Sequence, residues 1–123
     1  MEIDEIDRYH SVIFSYMTEN YNAAIEECGR ILEKNSNSYY GRFYRAVSFI
    51  KNGLYSEAIN DLNEAEKLKP NTYEVFYHRG ISNFYNENFK QASEDFNKAL
   101  EIEDISKEHK ENAQGWLNKT KLN

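Results

Sequence analysis

The residues able to do chemistry are three histidines, His10, His78 and His109, one cysteine, Cys28, and two arginine–aspartate pairs. The histidines share no metal-ligand spacing and a single cysteine adds no second thiolate, so no metal site is expected. His10 and His78 occupy equivalent repeat positions too far apart to share one ion. No serine–histidine–acid or cysteine–histidine set can be placed, and no glycine-rich phosphate loop occurs. Acid pairs such as Glu26-Glu27 and Glu101/Glu103 fall on polar helix faces as solvated surface. The expectation is no catalytic residue, no cofactor and no enzyme. Arg45 and Arg79 each stand 16 residues before an acid, Asp61 and Asp95. That spacing puts each pair on facing helices of one hairpin. Guanidinium forks suit planar carboxylates, so partly buried salt bridges are expected, with Glu27 as a third candidate acid. A structural role is favoured over a ligand-binding one.

The pairs recur because the chain does. The stretch Tyr39 to Thr72 moved forward by 34 residues lands on Tyr73 to Ser106 with eight identities, among them Arg45/Arg79, Ala58/Ala92, Asp61/Asp95 and Ala65/Ala99. Like replaces like at Phe43/Tyr77, Ala46/Gly80, Val47/Ile81, Tyr55/Phe89 and Leu62/Phe96. Moved back, Tyr55, Ala58 and Ile59 land on Tyr21, Ala24 and Ile25. A fixed period of this length marks stacked helical hairpins.

Composition agrees. A chain of 123 residues, 40% hydrophobic and 29% charged, suits one globular domain, 1–123. One proline and five glycines leave long helices unbroken. A net charge of −6 without basic runs argues against nucleic acid. No apolar run approaches the ~20 residues of a membrane span, and the acidic start MEIDEIDRYH lacks the apolar centre of a signal peptide. With a single cysteine, a reducing cytoplasmic setting is the expectation.

Apolar periodicity places helices at about Glu5–Met17, with Ile6, Tyr9, Val12, Ile13, Tyr16 and Met17 on one face, and at Tyr21–Lys34. Further helices are placed at Ser38–Asn52, Tyr55–Leu68, Thr72–Asn86, Phe89–Glu103 and Ser106–Lys121. Residues 1–4 form an acidic lead. Gly53 ends the third helix in the left-handed conformation, and Asn86 or Asn88 takes that role one repeat later. Pro70 stops the fourth helix, and Asp104 stands in its place in the next repeat. Ser106 is the expected N-cap of the tail helix. Gly115 within that helix costs about 1 kcal/mol against alanine.

These residues resemble the tetratricopeptide repeat family. Ala46 and Gly80 match its small first-helix residue. Tyr21, Tyr55 and Phe89 match the aromatic before the second-helix alanine at Ala24, Ala58 and Ala92. Cys28, Leu62 and Phe96 match the bulky residue one turn later, Ala65 and Ala99 the later alanine, and Pro70 the closing proline. The first repeat departs, with Val12 and Ile31 where small residues belong, so its first helix is placed in register or one residue away. The resemblance covers about residues 5–106. It implies an all-α, right-handed solenoid of three repeats, about 5–38, 39–72 and 73–106, with a capping helix at about 106–121.

The resemblance also implies that first helices line a concave groove that binds a peptide segment or helix of a partner protein, as an adaptor or scaffold. Carried over by position, the groove residues are Tyr9, His10, Ile13, Tyr40, Phe43, Tyr44, Val47, Glu74, Tyr77, His78, Ile81 and Tyr85, with Lys51 at the rim. Tyrosine offers apolar area and a hydroxyl at low entropy cost, and such a row suits an extended peptide or a helix with apolar anchors. Some of these rings belong equally to ordinary core between repeats. Many family members clamp a heat-shock chaperone's C-terminal carboxylate. The corresponding positions here are Tyr9, Ile13, Tyr44, Glu74 and His78, which carry no clamp residue, so that ligand is not expected. The partner's identity stays open. Self-assembly through the groove or tail helix, giving a homo-oligomer, is the alternative, and in a monomer Trp116 should lie against Phe89, Phe96 or Ala99.

Overall fold

A computed structural model describes residues 3–123, with side chains described for Asp7 and residues 9–123. Met1, Glu2 and the side chain of Ile6 lie outside the described residues. Among the described residues seven helices follow one another: α1 (Ile3–Met17), α2 (Tyr21–Lys34), α3 (Tyr39–Lys51), α4 (Tyr55–Leu68), α5 (Tyr73–Tyr85), α6 (Phe89–Glu101) and α7 (Lys107–Lys121). No strand occurs among the described residues, and no helix is long and apolar enough to cross a membrane. The fold is an all-α helical repeat solenoid.

The caps explain the boundaries. Asn20, Ser38 and Ser106 each accept a hydrogen bond from the backbone N–H three residues on, at 3.4, 3.0 and 3.0 Å; this satisfies donors that a helix start leaves unpaired. Gly53 takes φ +75°, as its sequence position requires. The equivalent turns place Glu19 at φ 63° and Glu87 at φ 62°, the latter in place of Asn86 or Asn88. The period fixes which position must be left-handed, and the residue found there accepts the strain. The α6 helix stops at Glu101, two residues early, because Ile102 turns inward with Ile105 to pack on Tyr73, Phe76, Ala99 and Ala113.

Each hairpin is closed by a pair of residues sixteen apart whose sizes compensate. Ala46 shares a buried cluster with Leu62, and Val12 with Cys28. Gly80 faces Phe96 so closely that a Cβ would meet the ring at 2.6–2.8 Å. The larger first-helix residue of repeat one is thus matched by a small second-helix one. This sets α1 in register with α3 and α5, whose last residues, Lys51 and Tyr85, follow Met17 at the repeat spacing. Cys28 is fully buried, and burial pushes its thiol up to about 12.

Neighbouring hairpins join through a second stripe. On α5, Val75 packs with Ala58, Leu62 and Ala65 of α4, and the Arg79 guanidinium donates to Asn63 (2.9 Å) and Glu66 (2.7 Å). Ser82 is fully buried, and Asn86 donates to the Ser56 hydroxyl (3.0 Å). On α3 the same positions are Gly41, which lies against Ile31 and Leu32 of α2, then Arg45, the buried Ser48 and Asn52, which donates to Asn22 (2.9 Å). The α7 helix repeats the arrangement on α6, burying Ala113 and Thr120 and stacking Trp116 on Phe96 with ring centroids 6.1 Å apart. The ring thus sits against one of its three expected neighbours.

The helices form two layers. Among the described residues α1 approaches α3, α3 approaches α5 and α5 approaches α7, while α2, α4 and α6 do not approach one another. The stack therefore bends toward the odd-numbered helices.

Candidate functional site

The inner layer carries the rings because α3 and α5 spend their opposite sides on packing. The Ala46/Gly80 stripe meets the helix that follows, and the Ser48/Ser82 stripe meets the one before. What remains between them is the side that carries Tyr40, Phe43, Tyr44 and Val47 on α3, and Tyr77, His78, Ile81 and Tyr85 on α5.

The twelve positions read from the sequence divide by depth. Val47 (4% exposed) and Tyr9 (9%) form the floor. Tyr9 shares a hydrogen bond with the Ser38 hydroxyl, so its ring is part of the repeat interface. Ile13, Phe43, Tyr44, Tyr77, His78 and Ile81 are half-buried. Tyr40 (49% exposed) and Tyr85 (48%) stand open, as do His10 and Glu74.

Most of these rings join in a continuous row. Tyr9 meets Tyr40 edge-on at 5.7 Å, Tyr40 meets Tyr39 at 5.5 Å, and Tyr39 stacks on Phe43 at 6.0 Å. Phe43 crosses from α3 to His78 of α5 at 5.4 Å. His78 meets Tyr77 at 5.3 Å, Tyr77 stacks on Tyr73 at 5.4 Å, and Tyr73 stacks on His109 of α7 at 4.5 Å. Tyr44 joins at Phe43, at 5.7 Å. These separations are those of favourable aromatic pairs. Tyr39, Tyr73 and His109 were not read as site residues from the sequence. The identity of Tyr39 and Tyr73 at the repeat spacing was the available signal; the docking angle of α7 left none for His109. Tyr85 stands apart from the row, between Tyr55 (stacked, 5.1 Å) and Trp116 (5.9 Å).

The polar groups of this row have defined states. Burial pushes the Tyr39 and Tyr73 hydroxyls up to about 12 and raises that of Tyr44, so they remain protonated donors; the Tyr73 hydroxyl donates to the His109 carbonyl at 2.8 Å. His78 Nδ1 lies 2.7 Å from the Glu74 carbonyl. A carbonyl only accepts, so Nδ1 carries the proton and Nε2 is left as an acceptor. Burial lowers the His78 pKa, helped by Lys51 and opposed by the bond to the Glu74 carbonyl and the nearby Glu74 carboxylate. A neutral imidazole therefore sits among the rings.

The arginine–aspartate pairs lie between helices, away from this row. Arg45 grips Asp61 with two nitrogens at 2.7 and 2.8 Å, and Arg42 adds a third bond at 3.2 Å. Arg79 donates to Asp95 at 2.9–3.2 Å as well as to Asn63 and Glu66, and Asn83 completes the cage at 3.1 Å. With its three nitrogens engaged, Arg79 has no fork left for a ligand; it fastens three helices together. Glu27 does not join these pairs. It is taken by Arg30 on the same helix, at 2.7 Å.

Comparison with known proteins follows the same lines. No curated protein matches the chain. Among solved structures, the second tetratricopeptide domain of human RPAP3 in complex with the HSP70 peptide SGPTIEEVD is similar at 26% identity and a TM-score of 0.82, over 97% of this chain and 93% of that one. The first such domain of Spaghetti (RPAP3), bound to the HSP90 peptide SRMEEVD, superposes at a TM-score of 0.87 with 18% identity, over 96% and 90%. The Yersinia enterocolitica type III secretion chaperone SycD, in complex with a peptide of the translocator YopD, reaches 0.89 with 14% identity, over 99% and 95%. Residues 17–102, more than two thirds of the chain, match the family described as Anaphase-promoting complex, cyclosome, subunit 3. The chain belongs to this family of tetratricopeptide-repeat type.

Proposed function

We propose that residues 1–123 act as one repeat domain, with repeats at 5–38, 39–72 and 73–106 and a cap at 106–121, whose inner face holds a peptide segment or helix of a partner protein. In this reading the domain is an adaptor or scaffold subunit and works by binding, not catalysis. The observation that carries it is the row of rings from Tyr9 to His109, which crosses four helices and leaves Tyr40 half-exposed at its opening. Rigid rings with protonated hydroxyls and one neutral imidazole acceptor suit apolar anchors flanked by hydrogen-bonding backbone. Similar folds hold peptides of partners, as in the RPAP3 and SycD complexes.

The occupant differs from the acidic peptides in the RPAP3 complexes. Tyr9, Ile13, Tyr44, Glu74 and His78 supply no cation at the positions where family members clamp a carboxylate, and the exposed Glu74 repels one. Selection from a peptide library on the wild type, beside Phe43→Ala/Tyr77→Ala and the surface variant Tyr40→Ala, tests the reading. Peptides with two or more apolar anchors should be enriched by the wild type and weakened roughly tenfold or more in the double variant, given about 1.5–3 kcal/mol for each buried ring. SRMEEVD should not be enriched. Equal recovery by all three folded proteins would remove the groove assignment.

A further inference from the structure

The stripe that joins each hairpin to the one before it has a bare counterpart on α1. Counting back one repeat, Gly41, Arg45, Ser48 and Asn52 become Asp7, Ser11, Phe14 and Thr18. Ser48 and Ser82 are fully buried at this stripe, whereas Phe14 is 69% exposed and Met17 beside it 75% exposed. Asp7, Ser11 and Thr18 are exposed as well. Among the described residues, Phe14 is thus a largely exposed aromatic side chain at a packing position. The fourth instance of the stripe, on α7, shows what an aromatic does there: Trp116 corresponds to Phe14 and stacks on Phe96 of α6, at 6.1 Å.

We propose that this face of α1 docks an amphipathic helix of a partner protein whose contact side reads alanine, a bulky residue four later and a small residue three after that. The chemistry follows from what covers the same stripe under α5 and α7, namely Ala58, Leu62 and Ala65 of α4 and Ala92, Phe96 and Ala99 of α6; under α3, whose stripe carries no ring, the equivalent residues are Ala24, Cys28 and Ile31 of α2. A second copy of the chain is a poor occupant, because its own α2, α4 and α6 are already covered by α3, α5 and α7. The outward side of α7 is also polar, with Glu111, Gln114, Asn118 and Lys121 exposed. An exposed ring at a stacking position is a contact surface by the same physics that joins the other hairpins. Phe14, at the stripe of Ser48 and Ser82, lies off the ring-lined face and does not depend on it, while Met17 stands at the repeat position of Lys51 and Tyr85, at that face's rim.

The probe is a peptide of residues 88–103 of this chain, lactam-bridged between the exposed Lys90 and Glu94 to hold the helix and labelled for fluorescence anisotropy. The wild type should bind it saturably. Phe14→Asp, a surface change that circular dichroism should show to be folded, should weaken binding at least tenfold, as should Phe96→Asp in the peptide. Phe43→Ala/Tyr77→Ala should bind it as the wild type does. No saturable binding, equal binding by Phe14→Asp, or loss in the groove variant instead would overturn the proposal. So would concentration-dependent sedimentation abolished by Phe14→Asp, which would make the face an interface between copies.

Discussion

Phe96 occupies the space that Gly80 leaves empty: a Cβ on Gly80 would stand 2.6 Å from Cε1 of the Phe96 ring. The ring is fully buried and pinned by Trp116 and Tyr77, so it has little room to retreat. Gly80→Ala should therefore destabilise by about 1–2 kcal/mol, the overpacking cost net of alanine's helix preference. Gly80→Ala/Phe96→Leu restores the pairing of repeat two. It should show a coupling of at least about 1 kcal/mol in a double-mutant cycle from urea unfolding. Additive losses would mean that the two residues do not compensate.

The two arginines should differ in cost. Arg79→Met leaves the buried Asp95 with Asn83 as its remaining partner, and stranding a buried charge costs about 3–5 kcal/mol. Arg45→Met leaves Asp61 with Arg42, and losing charged hydrogen bonds costs about 1.5–3 kcal/mol. Urea midpoints at a common slope should place Arg79→Met well below Arg45→Met; the reverse order would contradict the fastening role given to Arg79.

Two turns carry strain that glycine would relieve. Glu19→Gly and Glu87→Gly, at φ 63° and 62°, should each raise stability by about 0.5–1 kcal/mol, the left-handed penalty less glycine's added freedom in the unfolded chain. Gly53→Ala should lower it by about 1 kcal/mol. Thermal melts of the three variants would show the opposite signs.

The neutral His78 predicts a loss of stability in mild acid. Its folded pKa lies below the ordinary 6.5, so the unfolded chain takes up the proton first as pH falls. Stability attached to His78 is complete above about pH 7 and declines as pH drops below 6.5 toward the folded value. His78→Phe should flatten that segment of the stability–pH curve, while carboxylate-driven losses at lower pH remain. An unchanged slope in the variant would place the effect elsewhere.

The parts of the fold set by period were readable from the sequence, and those set by three-dimensional docking were not. The shared spacing of Arg45/Asp61 and Arg79/Asp95 exposed the hairpin, because a helix pair must bring those positions together. The link from Phe43 to His78 comes from hairpin stacking, so the two rings were read as neighbours on one face and not as partners. Tyr9 and Val47 are read as lining the same face; the depth of Tyr9 goes with its bond to the Ser38 hydroxyl that caps α3, which periodicity does not reveal. The left-handed turn of the third repeat is assigned by residue type to Asn86 or Asn88, but the repeat places it on Glu87, as it places the first on Glu19. Glu27 was grouped with the interhelical acids, though Arg30 one turn later offered a partner without any tertiary contact.

Cys28 is the small partner of Val12, and its buried thiol, held at about 12, stays protonated in the native state. The folded protein is therefore silent toward maleimides and iodoacetamide until the first hairpin opens. A single cysteine introduced at the exposed Glu33 would take a dye alone, without removal of the native sulfur. The rate at which Cys28 itself becomes alkylated would act as a clock for opening of the amino-terminal hairpin.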